Sequence, residues 1–103
     1  MSDELIPITK GIDDEGKVTY YFWADPSWEG FDSLVHYLQK YWKAIVCESV
    51  DSVYSRRWVV VLDSIQISIH HDSQIGNYFQ RNGSLANAPL LDEIYADLLE
   101  RLK

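Results

Sequence analysis

The sequence is poor in the side chains that build disulfides and nucleophilic sites. Its 103 residues include one cysteine, Cys47, and only three histidines. A single cysteine excludes an internal disulfide and is typical of proteins from a reducing compartment. Cys47 follows Ala-Ile-Val, a context that predicts a small buried thiol. Nucleophile elbows, glycine-rich phosphate loops and paired cysteine and histidine residues are also missing, so the sequence predicts a protein that is not an enzyme.

One short cluster, His70-His71-Asp72, contains the side chains of a metal site. Successive residues of a strand point to opposite faces, so the two histidines cannot bind one ion without distortion. His36 lies in a predicted helix and has no partner at the spacing of a metal site. We therefore expect surface histidines at the end of a strand, with no metal and no cofactor.

Long hydrophobic segments are missing as well. No apolar run is long enough to cross a membrane, and the first residues, Met-Ser-Asp-Glu, lack the basic and then apolar pattern of a signal peptide. The expectation is a cytoplasmic protein with no membrane partner. A chain of this length is expected to form one domain, residues 1–103, with a core that needs no covalent crosslink.

Positive charge is scarce in the first third of the chain. The net charge is −7, and residues 1–32 carry −6 of it, with eight acids against two lysines. This balance argues against nucleic-acid binding, which depends on lysine and arginine at the phosphates. It is compatible with steering toward a basic protein, although ordinary solubility would explain it too. The predicted partner-binding acids are Asp13, Asp14, Glu15, Asp25, Glu29 and Asp32.

The clearest structural pattern is a β-hairpin in residues 57–72. Two β-rich runs flank the turn signal Asp63-Ser64, which places Leu62 opposite Ile65, Val60 opposite Ile67 and Trp58 opposite Ile69. Directly opposed residues share a face, so one face of the hairpin is apolar. The pattern predicts a hairpin at the centre of a sheet with helices over that face. The other face carries Arg57, Val59, Val61, Gln66, Ser68 and His70.

The remaining elements are read from periodicity and turn residues. Strands are predicted at residues 5–9, where Pro7 confines the strand to an edge or a start, and at residues 17–23 and 44–50. Residues 75–81 are predicted as a further strand or an ordered loop. Helices are predicted after Asp25-Pro26, with Asp25 as N-cap and Pro26 as first helical residue, and at residues 88–102. Gly30, which weakens the first helix, indicates a frayed first turn or a close contact.

The order β-β-α-β-β-β-(β)-α predicts an α+β fold. Each helix has a single apolar stripe and the hairpin has a single apolar face, so a two-layer sandwich buries all of them. The expected architecture is a mostly antiparallel sheet with both helices on one face and the opposite face partly uncovered.

Aromatic residues are numerous, with four Trp, seven Tyr and three Phe. Most fall on the apolar stripes, including Tyr41 and Trp42 on the first helix. Four fit no stripe and are candidate anchors of a protein interface, with simple surface packing as the alternative. These four are Trp28, Tyr37, Tyr54 and Tyr78.

Four features of the sequence occur together: the aromatic segment Tyr20-Tyr-Phe-Trp23, the helix after Asp25-Pro26, the hairpin ending His70-His-Asp72, and Gly76-Asn-Tyr-Phe79. In this combination the chain resembles the small cytosolic immunity proteins of bacterial contact-dependent growth inhibition and related polymorphic toxin systems. The likeness is one of general character, because those proteins are also short, acidic, aromatic-rich, α+β and free of catalytic motifs. The resemblance implies a protein that binds and neutralises a toxin domain, commonly a nuclease, in the cytoplasm of the producing cell.

An interaction adaptor, or a subunit of a homodimer that uses the open sheet face, is the alternative function. For the immunity function, the acids of the turn at residues 13–15 offer the cleaner test. Because they lie in a turn, their neutralisation is expected to leave stability nearly unchanged while it slows association with a basic partner.

Overall fold

Six antiparallel strands form one sheet in the order β1-β2-β6-β5-β4-β3. The structure, a computed structural model, describes residues 7–84 and 86–102. Two helices accompany the sheet, α1 after β2 and α2 after β6, which confirms the predicted α+β fold. The elements are β1 (Ile8–Ile12), β2 (Val18–Phe22), α1 (Trp28–Trp42), β3 (Ile45–Asp51), β4 (Ser55–Leu62), β5 (Ile65–Asp72), β6 (Gly76–Arg81) and α2 (Pro89–Arg101).

The β4–β5 hairpin has the predicted register. Trp58 pairs with Ile69, Val60 with Ile67, and Leu62 with Ile65. The two turn residues, Asp63 and Ser64, both have positive φ, which gives the tight turn the twist that matches its flanking strands. Both strands of the hairpin are interior strands of the sheet. The hairpin itself is not at the centre, because residues 76–81 form a strand, β6, and the midpoint of the six strands lies between β6 and β5.

Both helices cover the face that carries the apolar residues of the hairpin. Phe31, Leu34 and Leu38 of α1, together with Leu91 and Ile94 of α2, are at most 1% exposed and belong to one core cluster. Successive side chains of β2 alternate between the two faces of the sheet, and Tyr20 and Phe22 are the ones that lie in this core. The strand residues of the cluster are Ile8, Tyr20, Phe22, Val60, Leu62, Ile67, Ile69 and Phe79.

The start of α1 differs from the sequence-based prediction. Ser27 is the N-cap, and its hydroxyl accepts a hydrogen bond from the Gly30 amide at 3.1 Å. Asp25 is therefore not the cap, and Pro26 lies before the helix rather than at its first position. The Asp25 carboxylate instead accepts hydrogen bonds from the amide and hydroxyl of Ser27. Proline does occupy the first helical position of α2, at Pro89.

Three smaller expectations were also wrong or fall outside the described residues. Cys47, which the sequence predicts to be buried, is exposed. It lies in the edge strand β3, where the pairing with β4 is irregular between Val46 and Glu48. Tyr41 is 49% exposed, so the apolar stripe of α1 is narrower than its sequence indicates. Of the first predicted strand, residues 5 and 6 lie outside the described part, and edge strand β1 follows directly after Pro7.

Across residues 7–84 and 86–102, no helix has the length and apolar character required to cross a membrane.

Candidate protein-binding site on the open sheet face

A row of aromatic rings crosses the sheet face that the helices leave open. Tyr21 of β2 pairs with Tyr78 of β6, and Tyr78 pairs with His70 of β5, so the three side chains lie side by side. The Tyr21 and Tyr78 ring centroids are 5.9 Å apart, and Tyr78 stacks on His70 at 4.7 Å. Trp23 extends the row, stacked on Tyr21 at 5.5 Å. The row therefore follows directly from strand order and register.

An acidic turn lies at one end of this face. Residues 13–16 connect β1 to β2, and the Asp13 Oδ1 atom accepts hydrogen bonds from the amides of Glu15 and Lys17, each at 2.9 Å. Its Oδ2 atom accepts a hydrogen bond from Gln80 Nε2 at 2.7 Å. The same Gln80 nitrogen donates to the hydroxyl of Thr19 at 2.8 Å. Asp13 thus fastens the turn to the floor of the open face.

Between the turn and the aromatic row lies a cleft of about 550 Å³. Of the apolar side chains in its lining, Ile75 is 44% exposed. Asp14 and Glu15 are exposed on its rim. We call this feature the open-face cleft, and its lining consists of Ile12, Asp13, Asp14, Glu15, Thr19, Tyr21, Ile75, Tyr78 and Gln80.

Over β4 in the other half of the open face, polar side chains form a hydrogen-bonded network. Arg57 donates hydrogen bonds to Glu48 and to Asn82, both at 2.9 Å. Asn82 in turn donates to Gln66 at 2.8 Å. Below this network Val59 is only 2% exposed, although it is on the face opposite the helices. The surface around Val59 is therefore closed, although Ile45 of the neighbouring edge strand β3 faces the same side and is 70% exposed.

The electrostatics of the open-face cleft follow from burial and hydrogen bonding. The amide of Lys17 holds the pKa of the Asp13 carboxyl below its usual range, and Gln80 and the Glu15 amide act in the same direction. Burial raises the pKa of Tyr78, so its hydroxyl stays protonated. Burial, assisted by the charges of Arg57 and Lys17, lowers the pKa of His70 to about 4. The stacked Tyr78 and His70 side chains are thus neutral at pH 7.

The six predicted partner-binding acids do not form one group. Asp13, Asp14 and Glu15 line the open-face cleft. Asp25, Glu29 and Asp32 lie beyond the opposite end of β2, before or within α1.

The two acidic groups also belong to opposite faces of the sheet. Asp13 contacts Gln80, whereas the Asp25 carbonyl accepts a hydrogen bond from Asn77, three positions earlier on β6 and therefore on the other face. Asp32 forms an ion pair with Arg56 at 2.9 Å.

The histidine pair of β5 points to opposite faces, as the sequence predicts. His71 is on the helix side, 8% exposed, and its Nδ1 lies 2.8 Å from Asn77 Oδ1. His70 is half-buried, with its Nε2 atom 3.0 Å from the Ser68 hydroxyl. The expectation of surface histidines was therefore wrong. Within the part of the chain that the structure describes, no three histidine, cysteine, aspartate or glutamate side chains cluster as metal ligands.

The four predicted aromatic anchors have different environments. Only Tyr78 lines the open-face cleft. Trp28 packs on His71 and Arg56, and the Tyr37 hydroxyl donates to Asp97, so both contribute to local packing. Tyr54 is 72% exposed in the turn between β3 and β4.

Sequence reasoning missed Tyr21, Trp23 and Gln80 as residues of this face. Alternation in β2 and β6 was visible, but only the strand order brings these residues onto one surface with Tyr78 and His70.

A comparison of this chain with protein-family models, curated protein sequences and solved structures finds no significant match. The chemistry of the open-face cleft therefore carries the functional inference.

Proposed function

We propose that this protein is a non-catalytic binding domain that captures a basic protein through the open-face cleft. The observation that carries the proposal is the exposed acidic rim of Asp14 and Glu15 beside exposed apolar and aromatic side chains in one concave surface. Aromatic residues are favoured anchors of protein interfaces, and a charged rim steers the encounter with a partner of opposite charge.

The rim is available to a partner because Asp14 and Glu15 have no partner among the residues that the structure describes. Asp13 is fully used as a structural acceptor, but among described residues none donates a hydrogen bond or forms an ion pair with the side chains of Asp14 and Glu15. A cation brought by another protein would therefore meet two free carboxylates. The exposed Ile75 would be buried in the same encounter.

The partner in this proposal is a toxin domain, probed first as a nuclease, which the protein neutralises in the cytoplasm of the producing cell. The resemblance to immunity proteins of polymorphic toxin systems supports this choice. A nuclease is basic where it holds phosphates, so an acidic domain can cover its active site and block it. An interface of about 800 Å² per partner is standard, and a domain of this size can supply it.

The test uses the product of the gene immediately upstream, because immunity genes lie directly downstream of their toxin genes. Expression of that product is expected to stop bacterial growth, and co-expression of this protein is expected to restore it. If the two proteins bind each other but growth stays arrested, the protein is not an inhibitor of this product, and the adaptor function is the better explanation. Failure to bind would overturn the proposal.

A matched pair of variants tests the surface. The double variant Asp14→Asn/Glu15→Gln removes two charges from the rim, and Glu29→Gln/Glu93→Gln removes two exposed acids outside it. The rim variant is expected to associate several-fold more slowly at low salt, with a flatter dependence on salt. The association rate of the control variant should fall less, because charges far from the interface contribute less to the attraction of the partner. Equal losses in the two variants would mean that net charge, and not the open-face cleft, directs binding.

A further inference from the structure

We propose that the open-face cleft is a receptor for an arginine side chain presented by the basic partner. This inference rests on the proposed function and names the group that the cleft recognises. It combines three observations that together describe a guanidinium site: a concave space, two adjacent tyrosine rings in its lining, and two carboxylates on its rim without internal partners.

The aromatic lining suits a flat cation. Tyr21 and Tyr78 both line the open-face cleft, and their ring centroids are 5.9 Å apart. A guanidinium group is attracted by an aromatic ring within about 6 Å of the ring centroid, and the attraction grows where water is excluded. Both rings are only half-exposed, and the row continues on either side through Trp23 and His70. A cation in this space would therefore contact a rigid surface.

The polar lining supplies hydrogen-bond acceptors for the same group. Asp14 and Glu15 offer four carboxylate oxygens on the rim, and the guanidinium group has five N–H donors in a planar fork. The charge of Lys17 helps to lower the pKa of Asp13. Lys17 does not approach Asp14 or Glu15 closely enough to form an ion pair with either of them.

The protein already binds two of its own arginines in this manner. The Arg56 guanidinium lies 4.5 Å from the Trp28 ring, 4.4 Å from the Phe31 ring and 5.0 Å from the Trp58 ring. It also forms ion pairs with Asp32 and Asp51, at 2.9 and 3.1 Å.

Arg101 repeats the arrangement on the helix side of the molecule. Its guanidinium lies 3.9 Å from the Tyr41 ring, and it is paired with Asp97 at 2.7 Å. In both places aromatic rings and carboxylates enclose a guanidinium group. The open-face cleft presents the same two kinds of side chain, but no cation of the described chain fills it.

The expected occupant is arginine rather than lysine because of the chemistry of the two cations. The guanidinium group is planar and weakly hydrated, so it stacks on a ring and loses little hydration when it leaves water. The lysine ammonium group is compact and strongly hydrated, and it cannot engage two carboxylates and a ring at once with one flat surface. The proposal therefore requires the open-face cleft to distinguish the two.

The experiment titrates ¹⁵N-labelled protein with the peptide acetyl-Gly-Arg-Gly-amide and follows backbone amide shifts by NMR. Saturable shifts are expected at Thr19, Tyr21 and Tyr78, with none at Ser33 of α1, which lies on the other side of the sheet. The lysine peptide is expected to bind at least threefold more weakly. The citrulline peptide, which has the same shape without the charge, is expected not to bind. No shifts with the arginine peptide, or equal shifts with the lysine or citrulline peptide, would overturn the proposal.

Variants of the protein locate the site. Tyr78→Leu is expected to weaken binding of the arginine peptide at least about fivefold, since it removes one ring from the lining. The rim variant Asp14→Asn/Glu15→Gln should weaken it as well, while Tyr41→Leu, on α1 at the other side of the sheet, should not change it. Unchanged binding by the rim variant would overturn the assignment. The rim variant and the citrulline comparison need no change at Tyr78, so they decide the outcome even if Tyr78→Leu fails to fold.

The outcomes separate this inference from the proposed function. Neutralisation of the upstream gene product without binding of the arginine peptide would leave the toxin-inhibitor function in place and overturn arginine recognition. Binding of the peptide without neutralisation would retain the arginine receptor and overturn the inhibitor function.

Discussion

Gly30 provides the sharpest test of the packing at the start of α1. In a helix interior, replacement of glycine by alanine is normally favourable by about 1 kcal/mol. A Cβ atom on Gly30, however, would lie 2.1 Å from the Asp25 carbonyl oxygen and 2.9 Å from its carbonyl carbon. Both are backbone atoms, so Gly30→Ala forces either the helix or the segment before it to move.

The size of the effect depends on the hydrogen bond that the Asp25 carbonyl group accepts. Its carbonyl oxygen accepts a hydrogen bond at 2.7 Å from Asn77, which is 1% exposed and also contacts His71. Overpacking typically costs about 1–3 kcal/mol, and a disturbed buried hydrogen bond costs about 1 kcal/mol more. After subtraction of the gain in helix propensity, Gly30→Ala is expected to destabilise the protein by about 2 kcal/mol. The melting temperature should then fall by about 10 °C.

Thermal and urea unfolding measure the change. Ser33→Ala, at an exposed position of the same helix, serves as control and should stay within about 0.5 kcal/mol of the parent protein. A Gly30→Ala protein as stable as the parent, or more stable, would refute the close contact with Asp25. The sequence pattern of a frayed first turn would then be the correct explanation of this glycine.

Three further substitutions test the core, the aromatic row and the acidic turn. Ile67→Ala in the fully buried core should cost about 2–5 kcal/mol in urea unfolding, whereas Ile45→Ala at the 70% exposed edge should cost far less. The pKa of His70 is about 4 in the folded protein and 6.5 without burial. Between pH 6.5 and pH 4 the imidazole is therefore protonated in the unfolded chain but largely neutral in the folded protein. The unfolding free energy should therefore fall by about 3 kcal/mol from pH 6.5 to 4, and His70→Gln should remove this part of the pH profile. Asp13→Ala should lower stability measurably and Asp14→Asn by almost nothing, so equal effects would contradict the assigned hydrogen bonds.

The fold could be predicted from the sequence because its strongest signals are local. Alternation in β4 and β5 determines which residues are opposed, and a one-residue slip would expose Ile67 and bury Gln66. The helix start could not be predicted as well. Asp25 and Ser27 are both good N-caps, and the choice depends on Asn77, a residue about 50 positions away that holds the Asp25 and Ser27 carbonyl groups.

The candidate site could be predicted only in part, because it depends on strand order. The acidic turn is evident from composition, and Tyr78 is evident as an aromatic residue outside every apolar stripe. Nothing local places Tyr78 between Tyr21 and His70, since β2 and β6 are separated by more than 50 residues. The grouping of Asp14 with Asp25 as one acidic surface failed for the same reason: nearness in sequence did not produce nearness in space.

The turn at residues 13–16 divides its acids between two tasks. Asp13 forms the hydrogen bonds that shape the turn, so neutralisation of all three acids would change folding and binding together. The expectation that stability is unaffected therefore applies to Asp14 and Glu15 alone. Their side chains have no partner in the described chain, and the helix-covered core does not involve them. The turn thus presents two carboxylates that the described chain does not use for stability, while the hydrogen bond between Asp13 and Gln80 holds the turn in place.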